Sequence, residues 1–511
     1  MAVLNDILVW LMKRRMARIQ AFMRDPMPVQ EAQFHKLIQT AKDTEWGKQY
    51  EYRSIKSFRE YQERVPVSTY EEFYPYLERV MRGEQFVLWG SPIHWFAKSS
   101  GTTNARSKYI PVSRESLQEC HYMGGKDMMA FLIDNKPDTK VFDGKGVSVG
   151  GSLSPNPITG QLNCGDVSAV MMKNLPPWAQ YIRTPQIDVA LMSVWEEKIE
   201  QMAQITSQEN VTSMLGVPTW SLVLIEKVLE LTGKSNALEV WENFEVFIHG
   251  AVAFQPYREL FQNKIFPSKS VRYLEVYNAS EGFFGLQDDL SLLDEMLLML
   301  DYGIFFEFIP AEEVASPHPK TLTLGEVELG KNYAIVISTN AGLWRYKIGD
   351  TIRFTSKDPY RIKISGRTKH FINAFGEEVI VENAEAGITR ACEATGAEIT
   401  DYTAAPVYME SGRSGSHEWI IEFKKEPSDI QQFTEVLDNA IREVNSDYDA
   451  KRYKNMVLKS PILHHVPEGT FYQWLKGRNK LGGQHKVPRL SNTREYVEEI
   501  LQMVGYRAGV L

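Results

Sequence analysis

The sequence predicts an α/β protein: a large N-terminal α/β domain with mixed sheets and a smaller C-terminal α+β domain. Three observations carry that prediction. From Ile93 onward short β-prone runs alternate with helical stretches, the pattern of a largely parallel sheet. Consecutive strand-like runs then follow between residues 325 and 354, and the composition shifts near residues 364–376.

The first 90 residues read as a helical entry. Phe34, Leu37, Ile38 and Ala41 follow i, i+3, i+4, i+7 spacing, one apolar stripe on a helix. Tyr70, Phe73, Tyr74 and Tyr76 interleave with acids and are assigned to packing. The expected strands are Ile93–Ala97, Gly146–Val149, Val211–Leu215, Phe244–Ile248 and Val271–Val276, with helices at Val189–Ile205 and Trp220–Leu231 between them. Gly325–Val327, Ala334–Ser338 and Thr351–Phe354 resemble successive antiparallel strands. The segment ISGRTKHFINAFG at 364–376 has glycines near both ends, as a connector would. Beyond it, Val379–Ala394 reads as a helix and Glu418–Phe423 as a strand. Ser428 and Gln431 form a capping-box pattern ahead of the amphipathic set Phe433, Val436, Leu437, Ala440, Ile441 and Val444. The division expected is 1–368 and 369–511, with 1–90 mainly helical.

Composition bounds the function. At about 150 residues per domain, 511 residues make two to four folding units. Apolar residues at 43% and charged residues at 24% exclude disorder of the whole chain. Lysine plus arginine total 57 against 65 acids, a net charge of -8, which argues against a nucleic-acid partner and leaves phosphate-bearing small ligands open. Cys120, Cys164 and Cys392 lack C-x-x-C spacing, so a reducing, cytoplasmic compartment fits better than a disulfide framework or zinc site. No stretch approaches the ~20 apolar residues of a membrane helix, so no membrane partner is expected. In MAVLNDILVWLMKRR, Asp6 precedes the apolar run and Lys13, Arg14 and Arg15 follow it, the reverse of a signal peptide; an amphipathic first helix is expected. The chain is expected to act as a monomer or weak dimer.

Four segments concentrate chemistry-bearing residues. In FAKSSGTTNARSKYIP at 96–111, Ser99, Ser100, Gly101, Thr102 and Thr103 precede Asn104, Arg106 and Lys108. Glycine admits backbone N–H groups to phosphate oxygens, hydroxyls donate and cations offset charge, so the segment suits a phosphate cradle. Its spacing is not GxxxxGK[ST], which sets it apart from an ordinary P-loop, and a solvated polar loop is the competing reading. In VYNASEGFFG at 276–285, Ser280 and Glu281 follow a strand at its carboxyl end, where ligands bind in open α/β sheets. A carboxylate beside phosphates would hold Mg²⁺ there; a helix cap is the alternative. In LWRYKIGDTIRF at 343–354, Gly349 and Asp350 read most simply as a turn, the alternative being an aspartate that accepts both ribose hydroxyls. In GRNKLGGQHKVPRL at 477–490, the choice lies between a basic surface loop and a glycine-flexed arm that delivers Lys486.

The order of SSGTT…K, Y-x-A-S-E-G, Y-K-x-G-D and a distal lysine loop resembles the adenylate-forming superfamily of acyl-CoA synthetases, adenylation domains and firefly luciferases. SSGTTNARSK, TEWGKQY at 44–50 and VPVSTYEEFYPYLERVMRGE at 65–84 are more similar to the auxin-responsive plant acyl acid–amido synthetases and their bacterial relatives. The resemblance runs over nearly the whole chain. It departs at Asn104 and Ala105, in place of the loop's usual small and glycine positions, and at Lys347, where arginine is usual.

The resemblance implies an ATP-dependent ligase that activates a small carboxylic acid as an acyl-adenylate and passes the acyl group to an amino acid. An acyl-CoA ligase and a non-catalytic nucleotide-binding relative are the alternatives. It implies that Ser99, Ser100, Thr102 and Thr103 cradle the ATP phosphates, that Tyr277 and Ala279 lie along adenine, that Ser280 is a further nucleotide-binding residue, and that Glu281 helps hold Mg²⁺. It further implies that Asp350 and Arg367 bind on the ribose side, that Lys369 is the hinge of a mobile C-terminal domain, and that Lys486 is that domain's catalytic lysine. The acyl pocket is sought in the helix from His121 to Phe131, which includes Tyr122, and in FIHGAVAF at 247–254, which includes His249. For His249 a buried structural role is the simpler reading.

Overall fold

The computed structural model describes residues 2–99, 108–252, 254–314, 316, 318–367, 371–410, 413–478 and 487–505. The entry is helical, with helices Ala2–Arg24, Pro26–Ala41, Glu45–Gln49, Phe58–Arg64 and Tyr70–Met81. The stripe of Phe34, Leu37, Ile38 and Ala41 is buried throughout. Tyr70 and Phe73 are buried, whereas Tyr74 is exposed. The first helix is fastened by Arg15, whose guanidinium reaches Asp127 (2.7 Å) and Asp301 (2.6 Å). The Tyr302 hydroxyl donates to the same Asp127 carboxylate at 2.7 Å, which leaves that buried acid fully engaged.

The strands are β1 (Trp95–Ser99), β2 (Lys108–Val112), β3 (Lys145–Val149), β4 (Leu153–Ser154), β5 (Cys164–Gly165), β6 (Arg183–Thr184), β7 (Val211–Gly216), β8 (Val246–Gly250), β9 (Arg272–Ala279), β10 (Gly282–Leu286), β11 (Met296–Leu298), β12 (Ile304–Pro310), β13 (Asn332–Thr339), β14 (Tyr346–Lys357), β15 (Tyr360–Arg367), β16 (Phe371–Ile372), β17 (Val379–Ile380), β18 (Glu398–Val407), β19 (Ser416–Lys425) and β20 (Ile462–Val466). Among the described residues, eleven of them form one sheet in the order β12-β13-β14-β15-β11-β10-β9-β8-β7-β3-β6. The run β9-β8-β7-β3-β6 is parallel and the remainder antiparallel. A second sheet has the order β2-β1-β5-β4. Both sheets are mixed, as the expected fold class has it, and the parallel run β9-β8-β7-β3-β6 is the part that the alternating pattern predicts.

Past β15 the chain forms the short hairpin β16–β17 and the sheet β18-β19-β20. Tyr402, Ala404, Trp419 and Ile421 pack with the helices Val381–Thr395 and Ile430–Val444. Ala405 and Ile420, on the other face, pack with Phe471, Trp474, Val497 and Ile500 of helices Thr470–Gly477 and Glu495–Met503. Val487 belongs to that second core, and the Thr403 hydroxyl donates to the Pro488 carbonyl at 2.6 Å. The hairpin meets the larger part of the chain through backbone carbonyls: Tyr257 donates to Ala374 O (2.8 Å) and Asn373 Nδ2 to Ala251 O (3.3 Å). Glu377, with no exposed surface, holds the hairpin's shape by accepting from Ala374 N and Phe375 N, with His417 Nε2 2.8 Å from its Oε1.

Four local expectations change. Gly325–Val327 is not a strand: Glu326 turns back to accept from Thr323 N at 2.7 Å, which winds Leu324–Glu326 into a 3₁₀ turn. The helix expected at Val189–Ile205 is two, Ile187–Ala190 and Trp195–Thr206, and neither glycine nor proline marks the break. The helix Ile430–Val444 is capped by Asp429 rather than Ser428, because the Asp429 carboxylate reaches Gln431 N (2.8 Å) and Gln432 N (3.2 Å). Gly349 and Asp350 are no turn but a bulge inside β14, with Gly349 at φ +95°.

One ion pair locks this region. Arg345, 4% exposed, sets its guanidinium against Glu307 of β12 at 2.9 Å, with Glu307 at 0%. Its remaining N–H groups donate to Gln62 O, Val65 O and Thr321 Oγ1. Removing one partner of such a pair strands a charge in low dielectric. Arg345→Met is therefore expected to lower stability by about 3–5 kcal/mol in urea unfolding; a loss below about 1 kcal/mol would show that the pair is not a structural lock.

Candidate functional site

Three described segments meet near the carboxyl end of β9. β1 and β2 form a hairpin in which Ser99 pairs with Lys108, so residues 100–107 connect its two arms. Ser100, Thr102 and Thr103 lie outside the described residues; Ser99 is half-buried at the end of β1. The second segment is the β9–β10 turn. Ala279 pairs with Gly282, leaving Ser280 and Glu281 as a two-residue hairpin turn, so the helix-cap alternative falls. Ser280 Oγ lies 3.5 Å from Lys98 O, which brings this turn to the tip of β1.

The β14 bulge supplies the third segment. It re-aims the strand so that Asp350 Oδ2 accepts from the Tyr277 hydroxyl of β9 at 2.6 Å. Asp350 also pairs in register with Arg367, at the end of β15. Tyr277, Asp350 and the Arg367 backbone are thus together, and Ser280, Glu281 and Ser99 lie at the neighbouring turn and strand end. Lys369 and Lys486 lie outside the described residues.

A further pair was not foreseen. The Lys198 ammonium, almost fully buried, donates to Gly150 O (2.6 Å) and Gly151 O (3.0 Å) just past β3. Burial holds it down at about 8, with Arg183 adding to the shift and Asp166 opposing it. Asp166 accepts from Ser152 N at 2.9 Å, and a Cβ on Gly151 would sit 1.7 Å from its Oδ2. Only glycine admits that approach. The Gly150-Gly151 pair directly after a strand is the sequence signal; Lys198 itself sits in an ordinary helical pattern and gives none.

The two acyl-pocket residues divide. Tyr122 is half-buried and its hydroxyl donates to Met171 O at 2.9 Å. His249 is 1% exposed and stacks on Phe254 with ring centroids 3.9 Å apart. Burial, with Arg258 assisting, pushes its imidazole down to about 3, and its Nδ1 has no hydrogen-bond partner among the described residues. It is a neutral aromatic of the core beside Phe247 and Phe254. Next to it in register on β9 is Glu275. Burial pushes that carboxyl up to about 7, Asp294 adding to the shift and Arg258 and Lys363 opposing it.

The fold is one shared by acyl acid amido synthetases and an acyl-CoA ligase. It superposes on the structure of GH3.15 acyl acid amido synthetase with a TM-score of 0.60 at 16% identity, covering 96% of each chain. It superposes on 2-hydroxyisobutyryl-CoA ligase, in complex with 2-HIB-AMP and CoA, with a TM-score of 0.53 at 11% identity, over 93% of this chain and 92% of that one. Residues 15–271 match the GH3 family N-terminal domain, 297–367 the GH3 family central domain and 382–495 the GH3 family C-terminal domain. The chain belongs to the GH3 family. Its relatives include indole-3-acetic acid-amido synthetase GH3.3 of Arabidopsis thaliana, 21% identical over 90% of this chain and 89% of the relative. Jasmonoyl--L-amino acid synthetase JAR4 of Nicotiana attenuata is 23% identical over 65% of this chain and 67% of its own. The 4-substituted benzoates-glutamate ligase GH3.12 of Arabidopsis thaliana is 22% identical over 84% and 87%.

Glu275 gives the site a pH signature. Unfolded, its carboxyl ionises at its ordinary 4.5; folded, at about 7. The folded state therefore binds the extra proton, and stability falls as pH rises through the window between those two values. Glu275→Gln is expected to be more stable than the wild type at pH 8 and to lose that advantage at pH 4.5. Parallel stability curves for the two proteins across this range would show that Glu275 is not held protonated.

Proposed function

We propose that the chain is an ATP-dependent acyl acid–amido synthetase, forming an amide between a small carboxylic acid and an amino acid. The observation that carries this reading is the Tyr277–Asp350 hydrogen bond beside the β9–β10 turn, where that turn meets the tip of β1. Family membership, with relatives named as amido synthetases, supports it.

Asp350 and Arg367 take the ribose side, Tyr277 and Ala279 the adenine, and Ser99, Ser100, Thr102, Thr103 and Ser280 the phosphates. Glu281, half-buried at a two-residue turn, fits Mg²⁺: the ion prefers one or two carboxylates and takes its other ligands from phosphate oxygens and water. In keeping with that, the described residues hold no cluster of three or more His, Cys, Asp or Glu side chains able to bind a metal. When bound, the ion would offset phosphate charge. Residues 1–368 form the ATP- and acyl-binding domain and 369–511 the lid, hinged near Lys369. The three cysteines are unpaired and no described helix is long and apolar enough to cross a membrane, which supports a cytoplasmic setting.

The chemistry explains why a lid is needed. A carboxylate repels nucleophiles, so its oxygen first attacks the ATP α-phosphorus and pyrophosphate leaves. Two anions meet in that step, and a cation aimed at the developing charge lowers its barrier most where water is excluded. Lys486 is that cation. In the second step the neutral amine nitrogen bonds to the acyl carbon, the bond from that carbon to the AMP phosphate oxygen breaks, and the nitrogen gives up one proton to solvent, keeping the other as the amide N–H. One fixed arrangement cannot favour both steps, and a pivoting domain alternates between them.

Pyrophosphate exchange across a panel of carboxylic acids, followed by product mass with amino acids or CoA as acceptor, tests the reading; thioester in place of amide would reassign it to the CoA ligases. Lys486→Ala is expected to slow exchange by ~10²–10³-fold, the scale of one transition-state donor, and unchanged exchange would defeat its assignment. Asp350→Ala is expected to weaken ATP binding in calorimetry, and an unaltered affinity would remove it from the nucleotide site.

A further inference from the structure

An amino acid acceptor is a zwitterion, and the residues assigned so far offer nothing for its carboxylate. The helix Ser446–Arg452 does. Lys451 is 5% exposed, and its ammonium has no acceptor within hydrogen-bond reach among the described residues. It stands instead 4.0 Å from the centroid of the Trp220 ring. An ammonium on a largely buried side chain, set over a π-face, keeps donor capacity for a further acceptor. Its neighbour shows the contrast. Arg452 satisfies its guanidinium on Asp438 (2.6 Å), the Leu458 carbonyl (2.8 Å) and Ser460 Oγ (3.0 Å).

The position of Lys451 is fixed from both sides. The next turn is tied to the helix Trp195–Thr206, with Tyr453 donating to Glu196 at 2.9 Å and Lys454 at 2.6 Å from the same carboxylate. Behind it, a Cβ built on Gly376 of the β16–β17 connection would stand 3.8 Å from Nζ. Trp220 opens the helix that follows β7, and its own Nε1 is buried without a partner. β7 lies two strands from β9, which carries Tyr277, so Trp220 and the Lys451 ammonium over it stand past the carboxyl end of the same parallel run but to one side of Tyr277. That placement suits a group bonded beyond the acyl carbon rather than one bonded to the nucleotide.

We propose that Lys451 receives the α-carboxylate of the amino acid acceptor, against the face of Trp220. The carboxylates that also face it do not neutralise it by contact: Glu377 is bonded to Ala374 N, Phe375 N and His417, and Asp166 to Ser152 N. Asp447, four residues earlier on the same helix, makes no ion pair with Lys451 and is the complement for the acceptor's ammonium. Because Lys451 is carried by the C-terminal part of the chain, this subsite exists only when that part is docked as described here.

The inference rests on the amide-forming reading, and the test separates the two. With an acid found by exchange and the amino acid that gives product, kcat/KM is measured for that amino acid and for its α-amide. The wild type is expected to prefer the free carboxylate by about 30-fold or more. Lys451→Met is expected to bring that ratio near one, and Lys451→Arg to restore part of it. The ratio is internal to each preparation, so a partly folded variant still reports it. An unchanged ratio in Lys451→Met overturns the proposal, as does a defect confined to the KM of the acyl acid in exchange. Failure of the wild type to support exchange with any acid, or thioester as the only product, overturns the amide-forming reading itself and this inference with it.

Discussion

A guanidinium sealed from water must find all its acceptors at once, and Arg345 meets that constraint by drawing three separate stretches of chain together. Glu307 supplies the charge, Gln62 and Val65 supply carbonyls from the helical entry, and Thr321 supplies a hydroxyl. The residue adopts φ +43° to do so. Its carbonyl then accepts from Ser68 N, and β14 begins at the next residue. The bulge that turns Asp350 toward Tyr277 lies four residues further on, inside a strand whose start is immovable. The helical entry is therefore part of the scaffold of β14, and its side chains add to the hold: Phe73 packs edge-on against Tyr346, and the Tyr61 hydroxyl is 2.7 Å from Ser338 Oγ of β13.

Much of this was legible in the sequence, for identifiable reasons. The strands that end at the crevice are short β-branched runs bounded by polar turns, and their alternation with helices specifies a parallel sheet before any contact is known. Helix Pro26–Ala41 was legible because its apolar spacing has only one solution. The Gly349-Asp350 bulge was not, because a glycine–acid pair has the same local preference in a hairpin turn and in a bulge; the choice is made by the register of β13, eleven or more residues upstream in the chain. The break between Ile187–Ala190 and Trp195–Thr206 was hidden for a similar reason. The second of these helices carries Lys198, whose carbonyl partners at Gly150 and Gly151 are nearly fifty residues away.

The site residues divide along the same line. Tyr277, Ser280, Glu281 and Asp350 sit in compact motifs where residue type and spacing carry information by themselves. Lys198 and Lys451 sit in helices among acids and other polar residues, and nothing local distinguishes a buried lysine from a solvated one. Their character comes from what the fold sets against them: two carbonyls in one case, a tryptophan face in the other. His249 is the converse case. Its position at a strand end suggests chemistry, while its stacking on Phe254 matches the buried structural role that is the simpler reading of the sequence.

Val487 lies in the core beneath β18 and β19, and Pro488 is bonded to Thr403. There the chain is pinned to the face of the sheet opposite the helices Val381–Thr395 and Ile430–Val444. A cavity opened in that core would therefore loosen the sheet and the helix Glu495–Met503 together, because both faces of β18-β19-β20 share one thin layer of backbone.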